Sequence, residues 1–175
     1  MASGEGAAAG ESIDSEAMIA ENADARAELM TAIDGLPPDV RHEPCSGDWS
    51  VCDVLAHLAG AQAGYAEALE HIAAGEPPVI ADYGEPRPPD DWNRRTIAAR
   101  RDRDWTRLLA DLDAARSRHE AAVRAVPEAT YAAAQEGFPG PYTRARNVAE
   151  HYATSARHER GYISDIVEWR GKSAR

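Results

Sequence analysis

The chain has 175 residues, with 30 Asp and Glu against 19 Lys and Arg, which gives a formal net charge of −11 at pH 7. This length suggests a single domain that can bury a full core. The negative charge argues against binding to nucleic acid or to an anionic membrane surface, since both are negatively charged and bind proteins mainly through Lys and Arg.

The first predicted helix covers residues 15–36, because Ala favours helix and a proline pair follows directly. The second helix has the clearest start in the chain. Ser50 and Asp53 form a capping-box pattern, in which each side chain can bond the backbone amide of the other. Apolar residues then recur at intervals of three and four, and Gly75 is a typical C-terminal stop.

The prolines between residues 76 and 90 exclude a regular helix or an interior strand and predict a long crossover. A short helix is predicted over residues 91–101. The third long helix starts after Asp104, a good N-cap, and continues to about Val126.

A loop rich in Gly and Pro is predicted over residues 127–141, and the fourth long helix over residues 143–169, with Gly171 ending it. No segment carries a strand signal. The sequence therefore predicts an all-α domain over residues 15–171: a four-helix bundle with a long crossover between helices two and three.

No run of about 18 apolar residues exists, so no membrane-spanning helix is expected. The first residues lack the basic start and apolar centre of a secretory signal, so we expect a disordered tail over residues 1–14 and a cytoplasmic protein. Cys45 and Cys52 match no CxxC or zinc-ligand pattern. In the cytoplasm they are expected to be packing residues without a disulfide.

Polar side chains fall on or beside the apolar stripes of three helices. They are His57, Gln62 and Tyr65 on the second helix, Arg116 and His119 on the third, and His151, Ser155, His158, Glu159 and Tyr162 on the fourth. A buried carboxylate needs a partner, and Arg116 is available to Glu159. This pattern predicts a polar pocket inside the bundle. The alternative is a shifted register, with Arg and Glu reaching outward along their apolar stems.

The sequence GDWSVCDVLAHLAG at residues 47–60 resembles the start of helix two in DinB-like proteins, where a Trp-Ser/Thr pair precedes an Asp-Val-Leu-x-His-Leu run. Residues 91–93, 151–152 and 159–163 extend the resemblance, which covers roughly residues 15–170 and implies a four-helix bundle. The Trp-Asn and Arg-Gly pairs look most like the DfsB-like branch, which includes the colibactin self-resistance cyclopropane hydrolase. The chain more distantly resembles the N-terminal domain of thiol-dependent maleylpyruvate isomerase.

Metal-binding members of this superfamily use one His from helix two and a His-x3-His or Glu-x3-His pair from helix four. His57 matches the first ligand, whereas the positions of the pair hold Ser155 and Glu159, and serine is a poor ligand for zinc or nickel. Two interpretations stay open. A divalent metal (zinc or nickel) would be held by His57, Glu159 and His158, while the incomplete pair favours a metal-free polar pocket.

The favoured function is an enzyme that hydrolyses a small electrophilic substrate or transfers a thiol to it, in detoxification, self-resistance or specialised metabolism. His57 or Glu159 would act as general base, and His158 would assist as a further catalytic group. The substrate-binding set would be His151, Tyr162, Ser155, Gln62, Arg116, His119 and Tyr65. The resemblance also implies a low-molecular-weight thiol cofactor and a homodimer.

Two other classes of function are compatible with the same residues. A drug-sequestering or ligand-sensing bundle would bind a small molecule without turnover. A structural or interaction protein would pair its buried polar groups internally.

Overall fold

A computed structural model describes residues 14–81, 83, 89–134 and 147–173. The predicted tail before residue 14 and residues 135–141 of the predicted loop lie outside the described residues. The helices are α1 (Ser15–Ile33), α2 (Val51–Ala73), α3 (Pro89–Ala98), α4 (Trp105–Ala125) and α5 (Val148–Ser173), with strands β1 (Pro44–Ser46) and β2 (Trp49–Ser50) and short 3₁₀ turns at Pro38–His42 and Glu128–Thr130. The predicted all-α class, with four long helices and one short one, is confirmed.

Side-chain caps begin three of the helices. The Asp14 carboxylate accepts backbone amides at the start of α1, and that of Asp104 does so at α4. The predicted capping box is present at α2, where the Asp53 amide donates to Ser50 Oγ at 3.2 Å and the Ser50 amide donates to Asp53 Oδ2 at 3.1 Å. Because α2 begins so rigidly, the side chains of its next two turns are set in direction.

Several predicted helix boundaries were wrong, and a short pair of strands is present where the sequence indicated none. Helix α1 ends at Ile33, since Gly35 takes the left-handed conformation with φ of 65°. Residues 44–50, where no strand was predicted, form a small antiparallel hairpin whose turn uses Gly47 at φ 58°. Helix α5 runs through Gly171 to Ser173 rather than stopping there, since Gly171 does not take the positive φ of a C-terminal cap.

The bundle is built from two main helix pairs, α2 against α4 and α1 against α5. Helix α2 lies at the centre and is buried along almost its whole length. Its side facing α3 is made of small residues. A Cβ added at Gly60 would lie 2.7 Å from Thr96 Cβ, and one added at Gly64 would lie 3.3 Å from the Trp92 ring. Glycine at these positions therefore allows α3 to approach closely.

Within the described residues, no helix combines the length and the apolar character that crossing a bilayer requires. The crossover between α2 and α3 is anchored by Ile80 and Tyr83, which are buried with Tyr65 and Trp92 in one apolar cluster. Ile80 and Tyr83 thus cover one side of α2, whereas Gln62 on another side faces α1 and α5.

We expect Gly60→Ala to lower the free energy of unfolding by about 1–3 kcal/mol, because the new methyl overlaps Thr96 and α3 must shift. Urea denaturation measures the change.

Gly161→Ala is the matched control, since it is also a helical glycine but nothing lies within 4 Å of the added Cβ. It should raise stability by about 0.5–1 kcal/mol. Equal effects of the two substitutions would contradict the close approach of α3.

Candidate functional site

The polar residues predicted to face inward, apart from Arg116, form three groups along α2 and α5. The first group lies near the start of α2, the second near its middle and the third one turn further on. Their pairings run in opposite directions along the two helices, since His57 meets His158 whereas Tyr65 meets His151. The two helices therefore run antiparallel and present their side chains to each other in register.

The first group is an aromatic box around two imidazoles. His57 Nε2 and His158 Nε2 are 3.2 Å apart, and their rings meet edge to face. The Trp49 ring lies 4.9 Å from that of His57, and the Tyr162 ring lies 5.1 Å from that of His158, measured between centroids. His57 is buried, whereas His158, Tyr162 and Trp49 are partly exposed. One edge of the histidine pair thus reaches solvent.

Burial controls the protonation of this box. It lowers the pKa of His57 to about 3, with a further contribution from the charge of His158, and it lowers the pKa of His158 to about 4. Burial, together with the Asp165 carboxylate, raises the pKa of Tyr162 to about 12. Near pH 7 both imidazoles are neutral and the phenol is protonated. His57 Nδ1 is buried without a hydrogen-bond partner in the described structure.

The second group is a closed hydrogen-bond network in the middle of the bundle. Arg26 Nε donates to Glu159 Oε1 at 2.7 Å, and Gln62 Nε2 donates to Glu159 Oε2 at 3.1 Å. The ring of contacts closes through Arg26 Nη2, which donates to Gln62 Oε1 at 3.0 Å. Glu159 is 1% exposed, and Arg26 and Gln62 are each 4% exposed. The carboxylate is thus satisfied by protein donors.

The expected partner of Glu159 was wrong. Arg116 instead donates to Glu120 Oε1 at 2.7 Å, one turn away on α4, and is partly exposed. The actual partner, Arg26, lies on α1 in line with Leu29 and Ile33, at spacings that put it on the buried stripe. Extending the search for polar residues on buried stripes to α1 would have found it.

The third group is a buried cluster of rings. Tyr65 meets His151 edge to face at 4.7 Å between centroids, and His119 lies 4.6 Å from the ring of Tyr152. Burial and the charge of His151 lower the pKa of His119 to about 3, and burial lowers that of His151 to about 4. These imidazoles are neutral core groups at pH 7.

Ser155 is buried on α5 between the second and third groups. The polar positions predicted on α2 and α5 therefore all lie in or beside the three groups, but the structure divides them. His57 and His158 share one group, whereas Glu159 belongs to another, as expected for adjacent residues that diverge by about 100° on a helix. Trp49, which completes the aromatic box, was not predicted as a site residue, since it lies before the helix and shows no periodic pattern.

The predicted metal would need a third ligand beside the two imidazoles. A 3.2 Å separation of two Nε2 atoms suits two ligands of one zinc ion. Catalytic zinc sites use three protein ligands, and the described residues contain no group of three His, Cys, Asp or Glu side chains arranged to hold an ion. These residues therefore fit the metal incompletely, and the metal stays a prediction.

The fold and this interior define a helical bundle with polar side chains facing inward from α1, α2 and α5. The family model of the DinB superfamily matches residues 21–163, which include all three groups. The chain belongs to the DinB superfamily. No curated protein and no solved structure matches it significantly.

We expect Glu159→Gln to lower the free energy of unfolding by about 3 kcal/mol, because it leaves the buried charge of Arg26 without its carboxylate. Chemical denaturation followed by circular dichroism measures the loss.

Glu28→Gln is the control, since it removes a carboxylate that pairs with Arg160 at the surface. Its effect should stay within about 0.5 kcal/mol. A stable Glu159→Gln variant would show that the network does not stabilise the fold.

We also expect the free energy of unfolding to fall as the pH drops from about 6.5 towards 4. The pKa values of His119 and His151 in the folded chain, about 3 and about 4, lie below the ordinary value of about 6.5 that they regain on unfolding. The unfolded chain therefore binds protons first, and stability that is full above pH 6.5 is lost on acidification.

Each such histidine contributes a slope of up to about 1.4 kcal/mol per pH unit. Unfolding measured at several pH values should show that stability depends less steeply on pH in His119→Gln than in the parent. The control is His42→Gln, which replaces an exposed histidine and should leave that slope unchanged. A parent protein whose stability is constant from pH 7 to pH 4.5 would contradict this account.

Proposed function

We propose that the protein is an enzyme that acts on a small, uncharged electrophilic molecule at the aromatic box of Trp49, His57, His158 and Tyr162. The observation that carries this proposal is the contact of two neutral imidazoles at 3.2 Å, with one edge open to solvent. Paired neutral imidazoles are suited to proton transfer, since one donates and the other accepts at the shared contact.

The pair would withdraw a proton from the nucleophile. In the neutral pair, one Nε2–H donates to the other Nε2, and the donor ring keeps its lone pair on Nδ1. Water or a thiol gives its proton to an imidazole as its oxygen or sulfur attacks the electrophilic carbon. Tyr162, whose phenol is protonated, gives a proton to the departing oxygen, and the imidazolium returns one to the phenolate. Protons and charges then balance over the cycle.

The walls of the box favour an apolar or aromatic substrate. Trp49 and Tyr162 stack with their planes inclined by 22° and their centroids 5.9 Å apart. Aromatic faces stabilise rings and aliphatic groups, and their negative faces do not stabilise an anionic substrate. An epoxide fits this surface, and so does an activated aryl halide, from which the halide leaves as an anion while the imidazolium gives its proton to solvent.

The resemblance to the DfsB-like branch, which is carried by the Trp92-Asn93 and Arg160-Gly161 pairs, supports the same class of chemistry. Under this proposal the nucleophile is water in a hydrolase or a low-molecular-weight thiol in a transferase. Glu159 takes no proton in either case, because Arg26 and Gln62 already occupy its oxygens.

The test is an activity measurement on the purified full chain with two probes, styrene oxide in water and 1-chloro-2,4-dinitrobenzene with a panel of low-molecular-weight thiols. We expect turnover of one probe, and a loss of about 100-fold or more in kcat/KM in both His57→Gln and His158→Gln. Product analysis by mass spectrometry distinguishes hydrolysis from thiol transfer.

His71→Gln is the matched control, because His71 is a partly exposed histidine at the end of α2 that pairs with Glu76. It should keep full activity. Activity that survives in both box variants would remove the imidazole pair from the mechanism. Heat protection by either probe without any turnover would instead support a sequestering protein.

A further inference from the structure

A small cavity lies at the beginning of α2, on a side of the helix that the proposed active site does not use. It has a volume of about 170 Å³ and is lined by His42, Cys52, Asp53 and Ala56 on one side and by Arg100, Arg101 and Arg103 on the other. At about 30 Å³ per water in the liquid, this is the space of a few water molecules. A compact polar ligand would fill it.

The arginines come from the connection between α3 and α4, and two of them have no acidic partner among the described residues. Arg100 Nη1 donates to the Thr96 carbonyl at 3.1 Å, and its Nε is buried without a hydrogen-bond partner. The Arg101 side chain is exposed and forms no ion pair with any residue that the structure describes. Arg103 is the exception, since it forms a salt bridge with Asp111.

The acidic group at the cavity is already engaged. Asp53 Oδ2 accepts hydrogen bonds from the Ser50 amide at 3.1 Å and from Ser50 Oγ at 2.7 Å, as part of the cap of α2. Its charge is therefore directed to the helix start rather than to the arginines. In a chain with a net charge of −11, an unneutralised pair of guanidinium groups at a cavity is unexpected unless an anion joins them.

The positive charges of the guanidinium groups also repel each other when no anion lies between them. Burial and the charge of Arg103 lower the pKa of Arg100. An anion between them would relieve this repulsion and would supply acceptors to donors that now lack one. Guanidinium donors match the oxygens of a tetrahedral oxyanion in geometry.

We propose that this cavity is a binding site for a small phosphate group, held by Arg100 and Arg101 with Arg103 nearby. The volume suits inorganic phosphate or the phosphate of a small monoester, and the size of the cavity excludes a nucleotide from lying wholly inside. The site is separate from the imidazole pair: Ala56 lines it, whereas the adjacent His57 faces α5.

The experiment titrates the full chain with inorganic phosphate, glycerol 3-phosphate and acetate at constant ionic strength, followed by amide shifts in two-dimensional NMR. We expect saturable shifts at residues 100–103 with phosphate or its ester and none with acetate. Tighter binding of the ester than of inorganic phosphate would identify a phosphorylated metabolite as the ligand class, and the reverse order would identify the free ion.

Arg100→Met should weaken phosphate binding by about tenfold or more, because a charge-assisted hydrogen bond is lost. Arg101→Gln should weaken it by about threefold, and since that side chain is exposed the variant keeps its fold. Arg94→Gln is the control: it removes an equal charge from the exposed face of α3, where Arg94 pairs with Asp91.

Binding in Arg94→Gln should stay within about twofold of the parent. Equal weakening in Arg94→Gln and Arg101→Gln would show a general charge effect and overturn the site. Unsaturable shifts, or shifts spread over the whole chain, would do the same. These readouts do not depend on catalysis, so the phosphate site and the proposed enzyme activity can fail independently.

Discussion

The arrangement of the whole interior depends on the buried ion pair between Arg26 and Glu159. Removing these two charges from water, to 4% and 1% exposure, costs desolvation free energy. The network offsets that free energy only through good geometry and further hydrogen bonds. Gln62 provides those bonds and connects the pair to α2. One network thus joins α1, α2 and α5, and it tolerates little rotation of any of them.

This constraint has a consequence for the neighbouring residue on α5. Because Glu159 is directed at Arg26, the preceding residue, His158, points about 100° away around the helix and contacts His57. The network therefore positions the imidazole pair without touching it. The costly buried charges fix the rotation of the helix, and the neutral rings beside them form the proposed catalytic pair. This division explains why a carboxylate in the centre of the bundle is a poorer candidate for a base than the histidine next to it.

Helix α2 presents three different faces to its four neighbouring helices. Its small residues allow α3 to approach closely, its apolar residues pack on α4, and its polar residues face α1 and α5. Its capped start adds a fourth contact, since Asp53 is held by Ser50 and lies at the arginine-lined cavity. The same helix thus carries the proposed catalytic pair on one side and the proposed phosphate site on another.

The amino-acid sequence by itself determined the helical class, the capped start of α2 and the set of polar residues that face inward from α2 and α5, because these follow from local propensity and from helical periodicity. It did not determine their partners. Arg116 and Arg26 both lie on amphipathic helices, and only the packing of α1 against α5 brought Arg26 to Glu159. The hairpin before α2 and the approach of Trp49 to His57 were also decided by tertiary contacts, since a two-residue strand has no periodic signal and a ring contact has no counterpart in sequence spacing.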